Sequence, residues 1–448
     1  MRISIPLIAN ELGYKLVGGT GKESFTNISI DSRTLKNNDL FVAIKGPVND
    51  GHDYLVEAEE KGAIALVVEK LTSPNAPYIL VEDSLKFLDK LGVYQRSKYQ
   101  GKVVALTGSN GKTTTKEIIY SILRDFGCHK TVGNQNNHIG VPLSLGSLNN
   151  DKDYAVIEIG TNSPGEINQL SKQVKPNIGL ILNAAASHLE RLDSVEKVAE
   201  EKSAILDNIK EGGTAILPRD SMFFSYWKDK CFDKKIVTFG SHQDSDIRFD
   251  QVRMDLKENK VTFDLFYEDK NKKCVMNGIA MHNSYNACAA LAVGHVLNLD
   301  LEELSLNLNN ISYPARRMEI KNALNDALLI DDSYNANPES MKRSLDFLDS
   351  IKGKNRIFVA GEMGELGTHK ESFHIDICNY AKHRVEEFLC IGGLWDEGIK
   401  RIPKIGSKFS SKDDLLDYLN TKLAKNSVIL VKGSRSSRMD YISDKLMV

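Results

Sequence analysis

The sequence lacks any apolar run approaching the roughly 20 residues that cross a bilayer, so nothing in it predicts membrane insertion. It also lacks a Cys-x-x-Cys pair. Its six cysteines, at 128, 231, 274, 288, 378 and 390, are scattered, which excludes a disulfide framework and predicts reduced thiols in a cytoplasmic protein. Neither charge is in excess: a formal net charge of −2 gives no global basic field for nucleic acid or anionic membrane. The opening residues hold one arginine and a short apolar run that Pro6 interrupts and Glu11 follows, a poor secretion signal. There is no repeat and no low-complexity segment. What is present is ordinary for a soluble globular chain, 41% hydrophobic and 26% charged over 448 residues, long enough for two to four domains.

Short strands alternate with helix-like stretches through the first hundred residues. Asp39 to Lys45 reads as a strand entering a Gly-Pro turn, Tyr54 to Lys61 as a helix and Ala63 to Val68 as a strand. The polar stretch Gln95 to Lys102 reads as a boundary. Beyond it, Tyr154 to Ile159, Ile178 to Asn183 and Thr214 to Leu217 are buried-type strands, with a helix over Asp193 to Ile209. That alternation predicts a parallel sheet covered on both faces. Residues 246–280 alternate apolar and polar, as an antiparallel meander does, before a helix over Ser284 to Leu297. After Pro314 the strands Leu328 to Asp331, Arg356 to Ala360 and Val428 to Val431 end in polar or glycine-rich loops, where ligands of open α/β sheets gather. The expected organisation is three domains, 1–98, 99–313 and 314–448.

The most informative stretch runs from Val103 to Thr115. A β-branched run breaks into Thr107-Gly108-Ser109-Asn110-Gly111-Lys112-Thr113-Thr114, and a helix-forming stretch from Lys116 follows. Strand, turn and helix N-terminus in this order make a phosphate cradle: backbone N–H groups face the anion, the lysine reaches terminal phosphates, and the threonine hydroxyl is placed for Mg²⁺. Leu106 stands where the longer form of this loop has its first glycine. ATP or GTP is the expected ligand. Glu158, near the end of an apolar strand, is costly there unless paired or bound to a metal, and a Mg²⁺-binding acid belongs at the end of an adjacent strand. His188 follows the next strand through a small-residue loop, and Lys202 lies on the helix after it.

This order of parts resembles the Mur ligase superfamily, which also includes folylpolyglutamate synthases. Further stretches carry the likeness along nearly the whole chain: Asp31-Ser-Arg33, Leu40 to Gly46, Asn136 to Pro142, His282-Asn283, Arg316 to Glu319, Asp331 to Pro338, Gly361 to Gly367 and Lys432 to Arg435. The Leu106 departure is what this superfamily's shorter loop looks like. The resemblance implies an α/β protein of three domains: a small N-terminal domain for a uridine nucleotide, a central P-loop ATPase domain with a mostly parallel sheet, and a Rossmann-like C-terminal domain.

It also implies a reaction and roles. The Asp331–Pro338, Gly361–Gly367 and Lys432–Arg435 stretches look like the branch that joins D-alanyl-D-alanine to a UDP-N-acetylmuramoyl-tripeptide through an acyl phosphate, using ATP. Lys112 would hold the phosphates, Thr113 and Glu158 one Mg²⁺, and Glu158, His188 and a carbamylated Lys202 a second. His282 and Asn283 would face the adenine, although Asn283 as a plain helix cap is an equal reading. Arg317 and Asp332 would reach phosphate and ribose. Ser32, Arg33, Lys45, Gly46, Asp50 and Gly51 are candidates for the uridine nucleotide, with Asn335, Asn337 and the Gly361–Gly367 loop for the dipeptide. A monomer without nucleic-acid or membrane partners is expected. The alternatives are a sister ligase adding diaminopimelate or lysine, or an inactive nucleotide-binding regulator.

Overall fold

The apolar, β-branched runs pair into three main sheets in a computed structural model that describes residues 3–70 and 74–448, leaving Met1 and Arg2 of the opening run outside. The first sheet has five strands in the order Leu16–Val17, Tyr78–Leu80, Ala65–Val68, Leu40–Val42 and Ile28–Ser29, parallel except for the first pair. Helix Ser84–Lys98 covers it with Phe87, Leu88 and Leu91.

The polar stretch Gln95 to Lys102 is structured at its start, because the helix runs through Lys98 and buries Gln95 and Arg96. Arg96 donates from Nε to the Val174 carbonyl at 2.6 Å and from Nη2 to that of Lys175 at 2.8 Å, at the open C-terminus of helix Glu166–Val174. Orphan carbonyls at a helix end need such donors. The charge that reads as solvent-facing is a buried clamp.

The second sheet has nine strands. From its edge come Cys128–Lys130, Tyr154–Glu158, Lys102–Thr107, Ile178–Ile181, Thr214–Pro218 and Lys235–Gly240, all parallel. Strand Ile247–Asp255 continues the parallel run, and Lys260–Tyr267 and Lys270–Asn277 add antiparallel strands. The meander predicted over 246–280 is therefore present, as an extension of the sheet. Helix Asn283–Val296, buried on nearly every side, packs against this sheet together with Lys112–Leu123.

Strand Lys102–Thr107 lies between Tyr154–Glu158 and Ile178–Ile181, so connections leave it in opposite directions. The carboxyl ends of strands at such a reversal open a crevice. The third sheet, in the order Glu319–Asn322, Leu328–Asp332, Ser427–Lys432, Asn355–Ala360, Glu387–Ile391 and Gly406–Phe409, is parallel except for its first pair. The chain is thus α/β throughout, with three layered units.

Candidate active site

Strand Lys102–Thr107 is buried from Val103 onward and leads into the turn 108–111. Gly111 takes φ +81°, and a Cβ there would meet Asn286 Oδ1 at 2.6 Å, so this position needs glycine. The helix begins at Lys112, one turn earlier than the sequence suggests, because the threonines after it are buried against the sheet. Lys112 folds back over its own turn and donates to the Gly108 carbonyl at 2.7 Å. Burial pushes its pKa down, while Glu158 opposes the shift. The loop after strand Ile178–Ile181 braces the turn: the Asn110 N–H donates to Asn183 Oδ1 at 2.9 Å, and Ser109 Oγ donates to the Ala185 carbonyl at 3.1 Å.

Glu158 is fully buried beside this turn. Its Oε1 accepts from Thr113 Oγ1 at 3.2 Å and from Asn136 Nδ2 at 2.6 Å. Its Oε2 has no hydrogen-bond partner and lies 3.9 Å from the Lys116 ammonium. Lys116, also fully buried, donates to the Gly133 carbonyl at 2.5 Å and pairs with Glu117 at 3.1 Å. Glu117 in turn pairs with Lys130, giving charges of alternating sign. Sequence reasoning gave no role to Lys116 or Asn136. Nothing in a helical lysine signals burial, and Asn136 is marked only by the stretch that carries the family likeness.

A hydroxyl and a carboxylate with an unsatisfied buried oxygen are the donors Mg²⁺ takes alongside nucleotide phosphates. The Thr113–Glu158 pair fits that ion. Among the described residues no three His, Cys, Asp or Glu side chains gather as a ready-made metal cluster. His188 faces the same cavity, but its Nδ1 pairs with Glu365 Oε2 at 2.5 Å, leaving Nε2 as the nitrogen open to a ligand. Its hydrogen bond holds Glu365 below the usual carboxylate range. Lys202 is buried in helix Val195–Asp207 and does not line the cavity. Burial, and next the charge of Lys112, push its pKa well down.

The third sheet closes the site from above. Arg317 Nη2 donates to Thr113 Oγ1 at 3.2 Å, with its guanidinium 4.2 Å above the Tyr334 ring. Asn337 caps helix Pro338–Ser350 with its Oδ1, and its Nδ2 donates to Asn110 Oδ1 at 2.7 Å. Asp332 accepts from Lys432 at 2.5 Å and from Ser344 at 3.1 Å, and Lys432 also donates to the Asn335 carbonyl at 3.1 Å. These groups surround an inter-sheet cavity of about 1180 Å³.

His282 and Asn283 line the cavity too, and burial lowers the His282 pKa to about 4. Asn283 is not a helix cap. It is the first residue of its helix, and its Oδ1 accepts from Asn286 Nδ2 at 3.0 Å.

Of the expected nucleotide residues, Ser109 to Thr114 line the cavity, whereas Thr107 and Gly108 lie behind it. The six N-terminal candidates do not reach this cavity. Ser32 donates to Glu57 at 2.9 Å, Arg33 pairs with Asp31, and Lys45 and Gly46 are exposed. Asp50 accepts from the His52 N–H at 2.9 Å, and Gly51 sits where a Cβ would meet the Ile44 nitrogen at 2.7 Å.

A Gly-Lys-Thr turn at a sheet reversal, a buried acid on the neighbouring strand and an arginine from a separate sheet define a P-loop nucleotide-dependent enzyme. The family follows from comparison with known proteins. Residues 24–91 match the Mur ligase family catalytic domain, residues 106–294 the Mur ligase middle domain, and residues 316–435 the Mur ligase glutamate ligase domain. The UDP-N-acetylmuramoyl-tripeptide–D-alanyl-D-alanine ligase of Buchnera aphidicola is 35% identical over 95% of this chain and 93% of its own length. A crystal structure of MurF from Acinetobacter baumannii superposes with a TM-score of 0.88 at 28% identity, covering 100% of this chain and 99% of that one. The Thermotoga maritima MurF ligase solved with ADP gives 0.79 at 28% identity, over 94% and 96%. The chain belongs to the Mur ligase family.

Proposed function

We propose that the chain joins D-alanyl-D-alanine to the terminal carboxylate of a UDP-N-acetylmuramoyl-tripeptide, converting ATP to ADP and phosphate, in the cytoplasmic synthesis of a peptidoglycan precursor. The observation that carries this reading is the meeting of Lys112, Thr113 and Glu158 with Arg317 of the third sheet over one cavity. Two anions must be brought together there, and phosphoryl transfer is mostly positioning and charge neutralisation. Lys112, freed from the Gly108 carbonyl, holds the terminal phosphates, and Arg317 neutralises them from above. The tripeptide carboxylate attacks the γ-phosphorus, ADP leaves, and an acyl phosphate forms. The dipeptide amine then attacks the acyl carbon, and phosphate departs from the tetrahedral intermediate.

Mg²⁺, when bound, supplies positive charge that polarises the transferred phosphoryl group. Thr113 and Glu158 would hold one ion, and Glu158, His188 and a carbamylated Lys202 a second. The depressed pKa of Lys202 supports this, because only a neutral amine adds CO₂. Nucleotide contacts would come from Ser109 to Thr114, His282, Asn283, Arg317 and Asp332. The division into domains at 98/99 and 313/314 belongs to the same reading, supported by the three sheets and by the three matched segments.

A coupled phosphate-release assay tests it. The tripeptide nucleotide with D-alanyl-D-alanine and Mg-ATP should release phosphate steadily. Release with a dipeptide nucleotide plus diaminopimelate or lysine, and none with the first pair, would show the sister reaction instead.

A further inference from the structure

The acceptor dipeptide carries one feature that the reaction leaves untouched. Its amino end must face the acyl phosphate and give up the ammonium proton before attack, while its terminal carboxylate keeps its charge and needs a cation within the same cleft. That cation is legible in how the charges of the cavity wall are already used.

Most cations on the wall are committed. Lys112 lies on the phosphate turn, Arg317 on Thr113 and Tyr334, Arg343 on Glu339 at 3.1 Å, and Lys432 on Asp332 at 2.5 Å. Arg435 is different. It lines the cavity, its side chain is 66% exposed, and among the described residues its one ion pair, to Asp440, is long at 3.6 Å. Asp440 is contested besides, with Arg316 at 3.2 Å and Arg438 at 3.4 Å. Arg316 also pairs with Asp444 at 3.0 Å. Three guanidinium groups therefore share two carboxylates, which leaves the cluster one positive charge in excess. Arg435 is the exposed member that faces the cleft. It also ends the Lys432-Gly-Ser-Arg435 stretch, which carries the likeness to the dipeptide-adding branch without a role for any single residue in it.

The opposite charge stands on the adjoining loop. Ser434 is stitched to the Glu362 carbonyl by its N–H at 3.0 Å and its Oγ at 2.6 Å, which fixes the loop carrying Glu365 beside the loop carrying Arg435. A Cβ at Gly364 would stand 3.6 Å from Ser434 Cβ, in ordinary contact, so the two loops run side by side. Glu365 lines the cavity with its side chain 58% exposed and uses Oε2 on His188. One wall of the cleft thus carries a cation and an anion on neighbouring loops, the complement of a zwitterion's two charges.

We infer that Arg435 is the specificity residue that binds the C-terminal carboxylate of the acceptor dipeptide, with Glu365 facing its ammonium end. The inference rests on the dipeptide-adding reading above and sets the polarity of the acceptor within it. A guanidinium reads a carboxylate through two parallel hydrogen bonds, and an amide in its place loses both charge and geometry.

The test compares D-alanyl-D-alanine with its C-terminal amide as acceptors for the full chain and for Arg435→Ala and Arg435→Lys. The unaltered enzyme should show a KM about tenfold or more higher for the amide. Arg435→Ala should raise KM for the free acid by a similar factor and no longer distinguish acid from amide, with KM for ATP and tripeptide nucleotide unchanged. Arg435→Lys should restore part of the preference. Arg435→Ala keeping the full preference for the acid, or an unaltered enzyme indifferent to amidation, overturns the inference. An enzyme that uses neither form of the dipeptide but accepts single amino acids overturns the reaction proposed above instead. Thermal unfolding of each variant with and without ATP separates a lost contact from a damaged fold.

Discussion

Burial and the neighbouring Lys112 charge both push the Lys202 pKa well below its ordinary value of 10.5. In the unfolded chain the same amine titrates near that ordinary value. Between the two pKa values the unfolded state binds a proton that the folded state does not, so stability rises with pH across this window and levels off above it. Lys202→Met should therefore be more stable than the unaltered chain at neutral pH in bicarbonate-free buffer, with the gap closing towards about pH 10. Urea titrations at several pH values read this directly. Adding bicarbonate should narrow the gap at neutral pH, because a carbamate has no ammonium to desolvate. A gap that stays constant with pH would mean that position 202 tolerates its charge.

Among the elements, helix Ser84–Lys98 shows where reading by composition fails. Its polar end signals solvent, yet Arg96 closes the carbonyl end of a helix in the next unit. Removing this donor leaves buried carbonyls unsatisfied, at a cost of about 2–4 kcal/mol. Arg96→Met should lower the urea midpoint accordingly, while an exposed control such as Lys98→Met should not, and equal effects would return Arg96 to the surface. Other elements were plain beforehand. The β-branched run before Gly108 could only be a buried strand, and alternation over Val261 to Phe266 matches the one-sided burial of that strand. The helix after the phosphate turn started early because tertiary burial of Thr113 to Thr115 outweighs the weak helix propensity of threonine. Half of the site was legible in the same local way, from Gly-Lys-Thr and the strand glutamate. The other half, Arg317 and Asn337, lies far along the chain, and only family likeness placed it there. Lys116 escaped both routes, since its burial depends on Glu117 and Glu158 together.

At the level of the whole molecule, the third sheet meets the phosphate turn and the His188 loop through polar links, Arg317 to Thr113, Asn337 to Asn110 and Glu365 to His188, while Ile279 and Ala280 join its apolar core further along the seam. Domains of one chain commonly move relative to one another, and the polar links lie on the cleft side of this seam. The double variant Arg317→Ala, Asn337→Ala should show a larger radius of gyration than the unaltered chain in ligand-free small-angle scattering. The unaltered chain should be most compact with an ATP analogue and both acceptors present, and identical curves in every state would mean a rigid molecule. One component does not take part in that opening. Helix Asn283–Val296 is embedded on almost every side and begins at the residues expected to meet the base, while its Asn286 braces the Gly111 bend. On the proposed contacts, a single rod would anchor both the base end and the phosphate end of the nucleotide berth and hold their spacing fixed. Whatever the upper lobe does, a berth built this way would keep its length, and selection among nucleotides would precede closure of the jaws.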